Sequence, residues 1–147
     1  MLSKKNVVVW AAGCALVLAF IVLAAVGCSS GDADTSGDLS LTEADSGKSF
    51  TVKVGDIITV LIPGNTTTGY EWVADLSDAS AALLSLTGEP VYEQDPGSEG
   101  LVGAGGEYTF TFTAKAPGQA ELRLKYWRSF EPDVDPIETF VANVTIE

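Results

Sequence analysis

Glu107-Tyr108-Thr109-Phe110-Thr111-Phe112-Thr113-Ala114 alternates without a break. In an extended chain Tyr108, Phe110 and Phe112 share one face, and the three threonines share the other. Strict period two over eight residues marks a strand with one buried side. Aromatic and β-branched side chains suit a pleated, half-buried surface. A face this apolar must be covered by a second layer.

The neighbouring segments repeat the pattern. Ala116-Pro117-Gly118-Gln119 is a turn. Ala120 to Trp127 then alternates, with Ala120, Leu122, Leu124 and Tyr126 inward and Glu121, Arg123 and Lys125 outward. Ile137 to Ile146 reads as a long final strand. Upstream, Leu39-Ser40-Leu41, Phe50 to Val54, Tyr70 to Ala74 and Val91-Tyr92 alternate, and Ile57 to Ile62 is a near-continuous apolar run before the breaker pair Pro63-Gly64. Residues 78–86 stay open: Asp78 caps one helical turn, or Leu83 to Leu86 starts a strand. Seven or so short strands and no long helix predict an all-β chain folded as an antiparallel β-sandwich.

The N-terminus is different in kind. Lys4-Lys5 precedes an uncharged, mostly apolar run from Val7 to Val26, followed by Gly27-Cys28. A positive start, an apolar stretch and small residues before a cut describe a secretory signal. Ala25-Val26-Gly27-Cys28 resembles a bacterial lipobox, with Ala25 where leucine is usual. Lipidation at Cys28 is the expectation, with an uncleaved transmembrane anchor as the rival. The predicted division is a lipoprotein signal peptide at 1–27, a flexible acidic tether at 28–38 (SSGDADTSGD after the cysteine) and one domain at 39–147. Both alternatives place the domain outside the cytoplasm, held at the cell membrane.

Cys14 and Cys28 are the only thiols. Cys14 lies in the apolar run, so the domain has no disulfide. Apolar burial, at roughly 25 cal/mol per Å2, must hold it together. All 20 acidic residues lie after Cys28 and two of the eight basic ones lie before it, so the exported part is more acidic than the chain's net charge of −12. That repels nucleic acid and anionic headgroups. It favours solubility or a basic partner.

Catalysis has little to work with. The chain has no histidine, which removes Ser-His and Cys-His nucleophiles and the commonest zinc ligand. No glycine-rich phosphate loop opens a helix. Asp133, Asp135 and Glu138 have oxygens for calcium, but their spacing is not an EF-hand and two prolines interrupt it; a solvated acidic loop is the simpler account. The expectation is no enzyme, no cofactor, no metal, and a monomer.

Three loops carry what remains. Asn65-Thr66-Thr67-Thr68-Gly69-Tyr70 joins two strands; its stiff threonines would present a preordered row of hydroxyls and methyls, or its Asn and Gly simply make a turn. Gly103-Ala104-Gly105-Gly106 precedes the alternating strand and permits close backbone approach, or is a plain hairpin connection. Trp127-Arg128-Ser129-Phe130 crowds residue types enriched at binding hot spots; alternatively, Trp127 or Phe130 folds back over the end of the core.

In this order the loops resemble the chagasin family of cysteine-peptidase inhibitors. That family carries N-P-T-T-G-Y-x-W, G-x-G-G and R-P-W on an immunoglobulin-like sandwich. Asn65 to Trp72 matches the first motif with Thr66 in place of proline. Gly103 to Gly106 matches the second. Arg128-Ser129-Phe130 keeps the arginine and an aromatic of the third. The resemblance covers residues 39–147. It implies three loops at one end of the sandwich that fill a papain-like active-site cleft. Thr67-Thr68-Gly69 would lie over the catalytic cysteine, Gly103 to Gly106 along the cleft edge, and Arg128 with Phe130 on the far side. Asn65 and Tyr70 would hold the loop's shape and Trp72 would be core. The missing prolines imply looser loops and a weaker inhibitor than the family norm. An immunoglobulin-like adhesion or ligand-binding module without inhibitory activity is the alternative.

Overall fold

The computed structural model describes residues 37–98, 100, 101 and 103–147. Within them the alternating runs become nine strands: β1 (Leu39–Thr42), β2 (Ser49–Val52), β3 (Ile57–Gly64), β4 (Glu71–Ala74), β5 (Leu84–Leu86), β6 (Val91–Gln94), β7 (Gly106–Ala114), β8 (Gly118–Trp127) and β9 (Glu138–Ile146). They form two sheets. One runs β1-β3-β7-β5 with β6 also paired to β7, and the other runs β2-β9-β8-β4. The inward residues face each other between the layers. Ile58, Val60, Ile62, Phe110 and Phe112 from the first sheet meet Leu122, Leu124, Phe140, Ala142 and Val144 from the second, all buried. The result is the β-sandwich that the periodicity predicts, with Trp72 in its core.

Four details differ from expectation, each for a physical reason. The sandwich is not wholly antiparallel: β1 pairs with β3, and β2 with β9, in parallel. β1 and β3 are separated in the chain by β2, which lies in the other sheet, and β2 and β9 by all the strands between them, so no tight hairpin forces either pair antiparallel. Pro63-Gly64 does not end its strand. Pro63 stands opposite Glu107 and Gly64 opposite Gly106. There β3 has run past the end of the β1 ladder, the one-sided setting in which a strand tolerates proline. Residues 78–86 contain both candidates in series, the helix α1 (Asp78–Leu83) and then β5. Its cap is Ser77, whose hydroxyl accepts the Ser80 N–H at 3.2 Å, and Asp78 sits instead in the first turn. Finally, β2 stops at Val52, where the Asp56 carboxylate takes the Lys53 N–H at 2.8 Å and leaves Val54 exposed.

Strand register gathers the loops. Gly64, Gly106 and Gln94 lie abreast in one sheet. Trp127 is opposite Glu71, and Tyr126 opposite Glu138, in the other. The connections 65–70, 95–105 and 128–137 therefore all leave the same end of the sandwich. Cys28, the expected lipidation site, and most of the expected tether lie outside the described residues. Asp38, the last residue of the expected tether, takes the Ile57 N–H on its carboxylate at 3.3 Å.

Candidate functional site

The first loop is a single turn of 3-10 helix, Thr66–Thr68, capped at both ends. Asn65 is the N-cap: its Oδ1 accepts the Thr67 N–H at 3.0 Å and the Thr67 hydroxyl at 2.6 Å. The Thr68 hydroxyl donates to the Asn65 carbonyl at 2.7 Å. Gly69 closes the turn at φ +77°, a left-handed conformation that disfavours L-residues. So the three threonines do not present a row of free hydroxyls. Two of the hydroxyls are used within the loop, although all three residues are exposed. That geometry makes the turn rigid without proline.

Below the turn lies an aromatic stack. Tyr126 packs against Trp72 with centroids 5.1 Å apart and against Tyr70 at 5.4 Å. The Tyr126 hydroxyl accepts the Asn65 N–H at 2.9 Å and donates to the Asn65 carbonyl at 3.1 Å. Trp72 Nε1 donates to the Pro63 carbonyl at 2.8 Å, filling the side of β3 that β1 leaves open. Tyr108 packs in the same region. Burial pushes its phenol up to about 12, with smaller contributions from Tyr126, Glu71 and Tyr92.

The glycine loop begins where β6 and β7 separate. The Asp95 N–H donates to the Gly105 carbonyl at 3.1 Å. Gly106 is buried, and a Cβ there would run into the Tyr92 ring and the Glu93 carbonyl. Glycine is required for that close approach. Gly103 turns outward and its carbonyl accepts Asn65 Nδ2 at 2.9 Å. Ala104 and Gly105 are half-buried between these two anchors.

The third loop joins from the other sheet. The Arg128 guanidinium lies 4.3 Å from the Tyr70 ring centroid, donates from Nη2 to the Thr68 carbonyl at 3.2 Å, and pairs through Nη1 with Glu131 at 3.2 Å. Ser129 is exposed. Phe130 does not fold over the core. It stands 66% exposed, with its ring edge 3.2 Å from where a Cβ on Gly69 would be. Nor does Trp127 cover the core: it lies on the outer face of β8 under the Lys125 ammonium, 4.1 Å from its centroid.

All thirteen expected loop residues thus stand at one end, and four contacts join them: Asn65 to Gly103, Thr68 to Arg128, Tyr70 to Arg128, and Gly69 against Phe130. Tyr126 and Glu131 belong to the same network, yet the sequence does not single them out. For Tyr126 the available signal is a tyrosine at the inward, loop-proximal end of a strand, because a buried phenol needs a hydrogen-bond partner. Among the described residues no His, Cys, Asp or Glu cluster is arranged to hold a metal ion.

Comparison with known proteins agrees with this architecture. A sequence model described as Chagasin family peptidase inhibitor I42 matches residues 51–144. Amoebiasin-1 of Entamoeba histolytica is 33% identical over 109 residues, covering 74% of this chain and 100% of the relative. Chagasin of Trypanosoma cruzi is 35% identical over 103 residues, covering 69% and 92%. A crystal structure of a cysteine protease inhibitor from Entamoeba histolytica shares the fold, with a TM-score of 0.65 at 21% identity over 76% of this chain and 97% of that one. With the motif loops assembled on the matching sandwich, the chain belongs to the chagasin family of peptidase inhibitors.

Proposed function

We propose that the chain inhibits papain-like cysteine peptidases by lodging the three joined loops in the active-site cleft, with Thr67-Thr68-Gly69 nearest the catalytic cysteine. The observation that carries this reading is the cross-linking of the loops through Asn65 Nδ2 to the Gly103 carbonyl and Arg128 Nη2 to the Thr68 carbonyl. It makes one edge out of three loops. A wedge ordered before binding loses little conformational entropy on entering a cleft. Its capped turn offers the nucleophile no extended peptide in attack geometry. Phe130, exposed beside the turn, supplies an aromatic anchor of the type that dominates interfaces.

Family membership makes the chain an inhibitor rather than an enzyme. The membrane position is part of the proposal: the apolar run before Cys28 and its lipobox-like ending support a lipid-anchored inhibitor facing outward. Mass spectrometry of the native N-terminus reads this directly. A diacylglyceryl mass on Cys28 is expected, and an unprocessed Met1 would overturn it.

Titration of residues 29–147 against papain and a cathepsin tests the inhibition. Tight, reversible inhibition competitive with a peptide substrate is the expected result. No inhibition at micromolar concentration would leave a surface module without this activity.

A further inference from the structure

We infer that Tyr126 is the positioning residue of the inhibitory wedge, and that its hydroxyl does the work proline would do at position 66. The inference rests on the reading of the first loop as the part that enters the cleft. Tyr126 is only 8% exposed, at the end of β8, and touches solvent hardly at all. It is fixed by ring packing against Trp72 and Tyr70. Its hydroxyl makes two bonds to one residue, accepting from the Asn65 N–H and donating to the Asn65 carbonyl. A phenol has one donor and room to accept, so both capacities are engaged.

Asn65 is where order enters the loop. Its carbonyl also accepts the Thr68 N–H at 3.4 Å and the Thr68 hydroxyl at 2.7 Å, and its side chain caps the turn and reaches Gly103. Fixing both backbone groups of Asn65 therefore sets the start of the turn, the link to the glycine loop and the placing of Thr67 and Thr68. The anchor is 61 residues away in sequence, on the strand that leads into the Arg128 loop. One side chain thus ties the first loop to the strand that launches the third.

The same geometry shows that position 66 is already shaped for proline. Thr66 is the first residue of the 3-10 turn, where a missing N–H costs nothing and the fixed φ fits. Asn65 before it has φ −143° and ψ 101°, in the extended region and about 20° short of the ψ that a following proline favours. Proline and the Tyr126 hydroxyl are thus two routes to one ordered turn, and their effects should not add.

The test uses the full chain and four variants of the pair: the parent, Tyr126→Phe, Thr66→Pro and the double substitution. Tyr126→Phe keeps the ring stack and removes both bonds. It should raise the papain inhibition constant about tenfold, because the Asn65 N–H loses its phenol partner and the Asn65 carbonyl loses one of three donors. Thr66→Pro alone should change inhibition less than threefold, a coupled rather than additive outcome. In the double variant it should recover most of the loss. Hydrogen exchange at the Thr67, Thr68 and Gly69 amides should quicken in Tyr126→Phe, slow again in the double variant, and leave the β7 amides unchanged. A general structural role would lower the melting temperature without rescue by proline. Unchanged exchange in Tyr126→Phe, or loss of inhibition that proline leaves untouched, overturns the inference. If the parent itself fails to inhibit, the functional reading fails while the exchange data still decide the role of Tyr126.

Discussion

The first and third loops sit side by side and are built on opposite plans. In the 65–70 connection nearly every polar group is turned inward: the Asn65 side chain, its N–H and carbonyl, and the Thr67 and Thr68 hydroxyls are all bonded. The 128–137 connection is held at a few points, by the Arg128–Glu131 pair, two turn hydrogen bonds and the return of the Ile137 N–H to the Tyr126 carbonyl. It leaves Phe130, Val134 and Ile137 exposed. One loop is shaped and the other is sticky. The difference separates two properties an inhibitor needs, a fixed outline and an apolar contact, and assigns them to neighbouring segments joined by Arg128.

The most severe way to break this contrast is to remove its common floor. Trp72→Ala deletes the buried indole beneath Tyr126 and its bond to the Pro63 carbonyl, and should cost about 3–5 kcal/mol of stability. Denaturant unfolding followed by fluorescence measures it, and both loops should lose order together. Phe130→Ala should sharpen the contrast. An exposed anchor contributes to binding and not to folding, so inhibition should weaken by about 2 kcal/mol with the melting temperature unchanged. A large drop in melting temperature would mean the ring is structural. Asn65→Ala should behave the opposite way, losing about 1 kcal/mol of stability with the cap and weakening inhibition at the same time.

The smallest effect expected is a pH dependence. The Tyr108 phenol is held up at about 12 in the folded chain against an ordinary value of 10.0, chiefly by burial. The unfolded chain therefore loses that proton first. Stability should be flat below pH 10 and fall from there towards about 12. Tyr108→Phe should flatten the fall, as denaturant titrations across that range would show.

Much of this was written in the sequence, because period two is a local property. Residues 107–114 and 120–127 announce their own faces, and two such strands already require a second layer. The motif residues were legible for a similar reason: each loop is contiguous. What stayed hidden depends on distant partners. Pro63-Gly64 looks like a stop until the end of the β1 ladder is known to lie before it. The parallel pairing of β1 and β2 depends on strands that lie elsewhere in the chain. The alternation shows that Tyr126 points inward, but not that its hydroxyl ends at Asn65. The threonine hydroxyls look outward in the sequence because nothing local says they will be claimed by Asn65.

The Tyr126 anchor has a practical corollary for mimicry. A synthetic peptide spanning residues 65–70 would carry every side chain of the capped turn and lack the phenol that seats it, the carbonyl of Gly103 and the guanidinium of Arg128. Cyclising such a peptide would restore closure but not those three supports. A miniature that keeps the wedge needs the end of β8 and the glycine loop as well, so the smallest transferable unit is a three-segment graft, Pro63–Trp72, Gly103–Gly106 and Leu124–Glu131, carried on any host that holds the segments side by side.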